Sequence, residues 1–282
     1  MSRYSPSLLT QSDINEAAVD CIKTFDAMGL SAAFVGGEAC SLYGVGRKAN
    51  DLDIFVLTNE YGQEELKRLL VGRNTHFYLV PARTPGATYK SIKVDVLLPG
   101  AMDIPLFPSS LIEYISPSTL DVRLLPVAPL KLVMLLKLQA WSQHRAAFES
   151  RFREKVPMDH RDLSALFEIA EKRRMKVVPL SANDDYIPSS FMDASKRRVR
   201  EHLVAHPEVR RHWRRLGYDV DTILPLASPS QSRSPQTNLS RAMSASGRVP
   251  KTFDVSGLFE ALPAAETKKR TSSSRPSRGL FE

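Results

Sequence analysis

Apolar and polar residues follow one another over residues 1–127 in a pattern that predicts short strands between amphipathic helices. From Asp13 to Met28 the apolar positions recur at helical spacing, and Ser12 or Asp13 is placed to cap the helix. The elements predicted next are strand Ser31–Val35, a helix after Gly37, strand Asp51–Leu57, helix Gln63–Val71, strands Thr75–Ala82 and Lys90–Leu98, and an edge strand at Asp121–Leu125. This order predicts an α/β fold, with helices packed on a small mixed sheet.

The periodicity changes at Pro129, which stands at a first helical position. The stretch Leu130–Leu138 is apolar almost all round, as expected for a buried helix. A second helix is predicted over Met158–Arg174. We therefore expect the α/β core at 1–127 to be followed by an all-helical domain at 128–222.

Residues 223–282 have a different composition, with nine basic and four acidic residues, twelve serines and six prolines. Such a segment cannot bury enough apolar surface to offset its chain entropy, so it is predicted to be a disordered tail. Without the tail the chain has thirty basic and twenty-seven acidic residues. The high overall pI is therefore weak evidence for nucleic-acid binding.

Several features bear on the compartment. The two cysteines, Cys21 and Cys40, suggest no disulfide framework and fit a reducing environment. The amino terminus lacks the pattern of a secretory signal, and no apolar run approaches the roughly 20 residues of a membrane span. We expect an intracellular protein with no membrane partner, in the cytoplasm, with the nucleus left open.

Two short motifs carry the candidate chemistry. Gly36-Gly37 ends an apolar strand and opens a helix, where a phosphate can approach the backbone N–H groups closely. Asp51 and Asp53 lie two apart in the next strand and therefore project from one face. Two like charges this close favour a bound cation, and a hard divalent ion with oxygen ligands is the simplest choice. Asp95 adds a third carboxylate on a later apolar strand.

This arrangement resembles the nucleotidyltransferase superfamily related to DNA polymerase beta. The signature of that superfamily is an apolar residue, Gly with Gly or Ser, a spacer, and Asp-x-Asp or Asp-x-Glu. The residues that match it in order and spacing are Val35, Gly36, Gly37, Asp51 and Asp53. Asp95 stands where the third carboxylate is expected. The Gly44–Arg47 segment resembles the minimal and AbiEii-like branches, which usually carry Thr or Ser where this chain has Ala49.

The resemblance extends into the helical part. AbiEii-like proteins have a helix with Lys-Leu-x-Ala, then Arg, then a helix start that contains Lys and ends in Asp-Leu. This chain has Lys137-Leu138-Gln139-Ala140, Arg145, Lys155 and Asp159–Leu163. The resemblance implies that Lys137 and Asp162 are accessory active-site residues, with Asp159 interchangeable with Asp162. Considered alone, the Lys137 position fits either an ammonium that reaches water along its stem or a cation directed at a triphosphate.

The reaction implied by the resemblance is metal-dependent transfer of a nucleotidyl group from an NTP to a hydroxyl acceptor, with release of pyrophosphate. The implied site residues are Asp51, Asp53 and Asp95 for Mg²⁺ or Mn²⁺, Gly36, Gly37 and Arg47 for the nucleotide, and Lys137 and Asp162 as further catalytic residues. Asp95 serves as metal ligand or general base, and Lys137 or Arg47 offsets the developing negative charge. The acceptor is left open between RNA such as tRNA, a protein hydroxyl and a small alcohol, and so is the oligomeric state.

A basic segment favours a second hypothesis. Lys196–Arg215 carries eight basic and two acidic residues, which fits either a solvated face of terminal helices or a non-specific contact surface for RNA. The alternative function is therefore an inactive nucleotidyltransferase-fold protein that binds RNA or a protein partner through this segment and the tail. The six histidines show no metal spacing paired with Cys or Glu. His202 and His206 are four apart, but neither cysteine is nearby in sequence, and we interpret both as surface residues.

Overall fold

A five-stranded mixed sheet lies at the centre of the amino-terminal half in the computed structural model, which describes residues 10–77, 79, 92–117 and 124–224. Its strands are β1 (Ala32–Val35), β2 (Asp51–Val56), β3 (Lys93–Leu97), β4 (Glu113–Ile115) and β5 (Leu125–Val127), in the order β3-β2-β1-β5-β4. β2 runs antiparallel to β1 and parallel to β3. The end of β1 and the starts of β2 and β3 therefore meet at one edge of the sheet.

Nine α-helices surround and follow this sheet in the described part of the chain. They are α1 (Gln11–Asp26), α2 (Gly36–Tyr43), α3 (Gln63–Arg73), α4 (Leu130–Ala146), α5 (Ser150–Arg153), α6 (Val156–Lys172), α7 (Ser189–Ala205), α8 (Arg210–Arg215) and α9 (Val220–Ile223). The mixed α/β core followed by a helical part confirms the predicted fold class. None of the described helices has the length and apolar character needed to cross a membrane.

The first helix begins earlier than the pattern indicated. Thr10, rather than Ser12 or Asp13, is the N-cap of α1, and its hydroxyl accepts from the Asp13 backbone N–H while the Asp13 carboxylate accepts from the Thr10 N–H. This capping box satisfies two backbone donors that the helix start would otherwise leave unpaired. The buried positions Ile14 and Phe25 lie on the face of α1 that packs on the core.

The helical part packs against the sheet through α4. This helix buries most of its length against α2, α6 and α7, and the Tyr43 hydroxyl of α2 donates to the Ala128 carbonyl at 2.7 Å, just before α4 begins. Tyr43 therefore ties the sheet-covering helix to the entry of the helical part. The domain boundary between 127 and 128 stays a prediction.

Some of the predicted strands and the predicted tail differ from the described structure or lie outside it. Most of the predicted edge strand Asp121–Leu125 lies outside the described residues. Its last residue, Leu125, begins β5, which lies between β1 and β4 and is not an edge strand. The edge is instead the short strand β4, which the pattern missed because it has only three residues. The predicted pairing of Thr75–Ala82 with Lys90–Leu98 lies largely outside the described residues. So does the tail predicted from 223 onward, except that Ile223 closes α9.

Candidate active site

The turn at Gly36-Gly37 brings the backbone against a carboxylate. β1 ends at Val35 and α2 begins at once with Gly36, whose φ of +61° lies in the left-handed region. A Cβ atom at Gly36 would lie 1.9 Å from Oδ2 of Asp53, whereas one at Gly37 would meet the Arg47 guanidinium at 3.4 Å. Both the backbone conformation and the available space therefore require glycine at position 36.

Three carboxylates gather at the same edge of the sheet. Asp51 and Asp53 lie at the start of β2, and Asp95 lies opposite Asp53 on the parallel strand β3. Burial, followed by the charges of Asp51 and Asp95, raises the pKa of Asp53 to about 7. The Lys93 ammonium contacts Asp95. The structure thus brings together, next to the glycine turn, the three residues that the sequence predicted as metal ligands.

The donor set suits a hard divalent cation. Carboxylate oxygens are the ligands that Mg²⁺ and Mn²⁺ prefer. Burial first, and then the charges of Asp51 and Asp95, disfavour the ionised form of Asp53, and a bound cation would offset both effects. The oxygen atoms of the three carboxylates do not all lie within 4.8 Å of one another. Among the described residues, the one set of three metal-ligating side chains that meets this distance is His160, His202 and His206.

A buried ion network lies beside the turn. Arg47 donates from Nε and Nη2 to the two carboxylate oxygens of Asp162 at 2.6 and 2.7 Å, a bidentate pair. Lys137 Nζ lies 2.9 Å from the same carboxylate. The hydrogen bonds from Arg47 and the charge of Lys137 outweigh burial and lower the pKa of Asp162. Arg47, Lys137 and Asp162 therefore form one unit, although they are far apart in sequence.

The environment of Lys137 decides between its two interpretations. Its side chain is 9% exposed, so the ammonium does not reach water along its stem. Burial alone would lower the pKa of Lys137, but Cys40, Asp162 and Asp159 together raise it above the ordinary value. Lys137 is thus a charged group held inside the protein by carboxylates, and the nearby Asp53 carboxylate feels its charge.

Asp159 and Asp162 have different partners. Asp162 is fully buried and binds both Arg47 and Lys137, whereas Asp159 lies 3.4 Å from Lys137 Nζ and 2.5 Å from His144 Nδ1. The sequence left these two aspartates interchangeable, and the contacts separate them. Sequence reasoning missed His144, because a single histidine near the end of a helix carries no pattern of its own.

Glu38 is a second residue that the sequence analysis missed. It is fully buried in α2, directly after the glycine turn, and neither carboxylate oxygen has a hydrogen-bond partner among the described residues. Burial raises the pKa of Glu38 to about 7, against the opposing influence of Gln11 and Arg47. The available signal was a glutamate on a short helix whose other positions, Ala39 and Cys40 among them, are mostly small or apolar.

The histidines correct another interpretation. His202 is fully buried, not on the surface, and it clusters with His160 and His206. The rings of His160 and His206 stack with centroids 3.6 Å apart and planes 10° from parallel. Lone pairs lie in the ring planes, so parallel stacked rings do not direct them at one ion.

The tautomer of His202 also argues against a metal at this cluster. Trp213 Nε1 donates to Nδ1 of His202 at 3.1 Å, which leaves the proton of neutral His202 on Nε2, where it faces His160 Nδ1 at 3.1 Å. Burial is the largest cause that lowers the pKa of His202, to about 3. We interpret the cluster as a hydrogen-bonded part of the helical core in which His202 is neutral.

The basic segment Lys196–Arg215 is largely occupied by contacts within the protein. Arg210 and Arg214 pair with Asp221, Arg215 pairs with Glu171, and Lys196 pairs with Asp193. These ion pairs reduce the charge that the segment presents to a polyanion. RNA contact through this segment stays a prediction.

The comparisons with known proteins address the fold. No protein-family model matches the chain, and no curated protein matches it. The chain is similar to the crystal structure of an antigenic nucleotidyltransferase-like protein from Paracoccidioides brasiliensis, with a TM-score of 0.50 and 14% identity over 74% of this chain and 95% of that one. At this identity the similarity concerns the fold, and the AbiEii-like branch stays a prediction. The chain has a nucleotidyltransferase-like fold.

Proposed function

We propose that the protein transfers a nucleotidyl group from an NTP to a hydroxyl acceptor. The observation that carries this proposal is the position of Asp51, Asp53 and Asp95 at the sheet edge beside the Gly36 turn. In the reaction, the acceptor oxygen forms a bond to the α-phosphorus, the bond from that phosphorus to the β-phosphate bridging oxygen breaks, and pyrophosphate leaves. The acceptor proton passes to Asp95 or to solvent.

The residues of the chain have distinct roles in this proposal. The backbone at Gly36 and Gly37 receives the phosphates at the start of α2. Asp51, Asp53 and Asp95 would hold Mg²⁺ or Mn²⁺, which when bound supplies charge stabilisation for the attacking and leaving oxygens. The NTP substrate, the identity of the metal and the roles given to these residues all belong to this proposal.

The buried ion network supplies positioning and positive charge. Asp162 orients the Arg47 guanidinium through two hydrogen bonds, next to the position where a Cβ of Gly37 would lie. Lys137, held by the same carboxylate, offsets negative charge on the phosphates. Asp162 contacts both cations, so we expect its removal to displace Arg47 and to leave Lys137 with only the more distant Asp159 carboxylate.

Ala49 favours a second candidate, an inactive nucleotidyltransferase-fold binding protein. Ala49 is buried, and its Cβ would lie 3.8 Å from a Cβ at Gly37. The chain thus presents a methyl group at the glycine turn, where the branches it resembles usually have a hydroxyl. Ala49→Ser restores that hydroxyl with little added volume. Nucleotide binding that appears only in Ala49→Ser protein would favour the inactive candidate.

The deciding experiment mixes purified protein with each α-labelled NTP, Mg²⁺ and total cellular RNA. The test variant is Asp51→Ala/Asp53→Ala, and the matched control is Asp26→Ala/Asp185→Ala, which removes two exposed carboxylates away from the glycine turn. Label transferred to RNA or to protein by the wild type and the control, but not by the test variant, supports the proposal. Transfer that survives in the test variant refutes it.

A negative result is also informative when binding is measured. Absence of transfer, together with absence of NTP-induced thermal stabilisation, would favour the inactive binding protein. Absence of transfer with clear Asp51-dependent NTP stabilisation would point to a small alcohol as acceptor. The same labelled reactions, repeated with pooled small alcohols, would then test that class.

A further inference from the structure

The corner between α4 and α5 combines an exposed aromatic ring with several cations. Phe148 is 95% exposed, the most exposed large hydrophobic side chain among the described residues. The stretch 145–155 around it carries four cations and two carboxylates, namely Arg145, Arg151, Arg153 and Lys155 against Glu149 and Glu154. Single exposed apolar side chains are common on protein surfaces, so the case for a binding role rests on the combination of this ring with the cations around it.

The second aromatic residue of the corner, Phe152, contacts an imidazole and two cations. The His144 imidazole stacks on the Phe152 ring, with centroids 5.9 Å apart and planes at 10°. The Arg151 guanidinium lies 4.8 Å and the Lys155 ammonium 5.9 Å from the same ring. Arg153 donates to the carbonyls of Ala147 and Phe148, which fixes the loop that carries the exposed ring. Arg151 and Lys155 are thus both positioned beside the Phe152 ring.

A chain of contacts joins this corner to the candidate active site. His144 Nδ1 lies 2.5 Å from Asp159, Asp159 lies 3.4 Å from Lys137, and Lys137 lies 2.9 Å from Asp162. Asp162 in turn holds Arg47 beside the glycine turn. The corner is therefore linked through neighbouring side chains to the Arg47–Asp162 pair of the candidate active site.

We propose that the α4–α5 corner, residues 144–155, binds the single-stranded end of a nucleic acid that serves as the acceptor. This inference rests on the proposed function and names its acceptor class. A base stacks on Phe148, an interaction that every base can make with its π-face, and Arg151 and Lys155 contact phosphates. Both surfaces have cations paired with carboxylates, as Arg151 is with Glu149 in the corner and Arg210 is with Asp221 in Lys196–Arg215. The corner is favoured because its Phe148 ring is exposed, whereas Trp213, the one Trp, Tyr or Phe of Lys196–Arg215, is buried.

Binding is tested without NTP or divalent ions, so that its outcome does not depend on transfer. The probes are fluorescent 12-nucleotide RNA and DNA strands of the same sequence, and anisotropy gives the dissociation constants. Phe148→Ala should weaken binding roughly 5- to 150-fold, the range for loss of one stacked base. Tyr114→Ala is the matched control, because Tyr114 is an aromatic residue 61% exposed on the edge strand β4.

The charge contribution has its own matched pair of variants. Arg151→Ala/Lys155→Ala should reduce the slope of log affinity against log salt by about 1.4, or about 0.7 for each lost phosphate contact. Lys196→Ala/Arg197→Ala removes two exposed cations from α7 and should leave affinity unchanged. Thermal unfolding of all variants confirms that each is folded. The RNA and DNA probes distinguish the two sources of single strand, and a preference for either supports the corner.

Three outcomes would overturn the inference. The first is wild-type affinity in both Phe148→Ala and Arg151→Ala/Lys155→Ala. The second is loss of affinity in Lys196→Ala/Arg197→Ala alone. The third is equal competition by a polyglutamate peptide, which would identify the corner as a general acidic-partner surface. Corner-dependent binding with neither nucleotidyl transfer nor NTP-induced stabilisation would instead count against the proposed function and leave the binding surface standing.

Discussion

Replacing Gly36 by Ala tests whether the glycine turn and Asp53 form one structural unit. An alanine in the left-handed region costs about 1–2 kcal/mol, and an added methyl that overlaps its surroundings costs about 1–3 kcal/mol more. The overlap is large, because the new Cβ would lie 1.9 Å from Asp53 Oδ2. We expect Gly36→Ala to lose about 2–5 kcal/mol of unfolding free energy, with Asp53 displaced from its position opposite Asp95.

Gly29→Ala is the matched control. Gly29 has a similar φ of +71°, but nothing lies within 4 Å of the position its Cβ would take. It should lose only the conformational cost of about 1–2 kcal/mol and keep full nucleotidyl transfer. Urea unfolding followed by fluorescence of the buried residues Trp141 and Trp213 measures both losses.

A double-mutant cycle isolates the contact with Asp53. In Gly36→Ala/Asp53→Ala protein the overlapping carboxylate is gone, so most of the additional loss should be recovered relative to the two single variants. Additive losses across the cycle would refute the reasoning, as would equal destabilisation by Gly36→Ala and Gly29→Ala. Calorimetric titration with the Mg²⁺ complex of a non-hydrolysable NTP, at a temperature where all variants are folded, adds the functional readout.

Three further predictions concern buried charges. Asp162→Ala removes the carboxylate shared by Arg47 and Lys137 and should cost about 3–5 kcal/mol of unfolding free energy, measured by urea titration. Asp159→Ala leaves the bidentate Arg47–Asp162 pair intact and should cost less. An equal loss in the two variants would contradict the prediction. The pKa of Glu38 is raised from 4.5 to about 7, so the folded state loses stability as pH rises through this interval. The stabilising effect of Glu38→Gln relative to the wild type should therefore be larger at pH 8 than at pH 4.5, by up to roughly 3 kcal/mol of unfolding free energy. An equal effect at the two pH values would be evidence against this prediction. The pKa of His202 is lowered from 6.5 to about 3, so the unfolding free energy should fall by about 1.4 kcal/mol for each pH unit below 6.5. In thermal melts at a series of acidic pH values, His202→Gln should reduce this dependence of stability on pH. An unchanged dependence would exclude His202 as its source.

Local patterns predicted the parts of the fold that depend on chain neighbours. Strand alternation placed Asp51 and Asp53 on one face of a strand, and the glycine turn was read directly from the sequence. The parallel pairing of β3 with β2, which sets Asp95 opposite Asp53, was not predicted, because the pattern paired Lys90–Leu98 with Thr75–Ala82 instead. The branch-level resemblance indicated Lys137 and Asp162. Their contact with Arg47 then follows from how α6 packs against the core, which no spacing in the sequence encodes.

The elements that the sequence did not predict depend on distant contacts. Glu38 lacks a partner only because the packed core surrounds it, and a sequence pattern cannot show that. The burial of His202 depends on Trp213 and His160 closing around it from other helices. The edge strand β4 has three residues, too few to establish a period of two.

The bidentate pair between Arg47 and Asp162 has a consequence for how the chain can be divided. Arg47 precedes β2 in the α/β core, while Asp162 lies in α6, on the other side of the predicted boundary at 127. A fragment that stopped at this boundary would keep the glycine turn and all three carboxylates but would leave Arg47 without its carboxylate. It would also lack Lys137. Under the proposed function, the minimal catalytic unit would therefore be larger than the sheet that carries the three carboxylates, because the helical part supplies the partner of Arg47 and also Lys137.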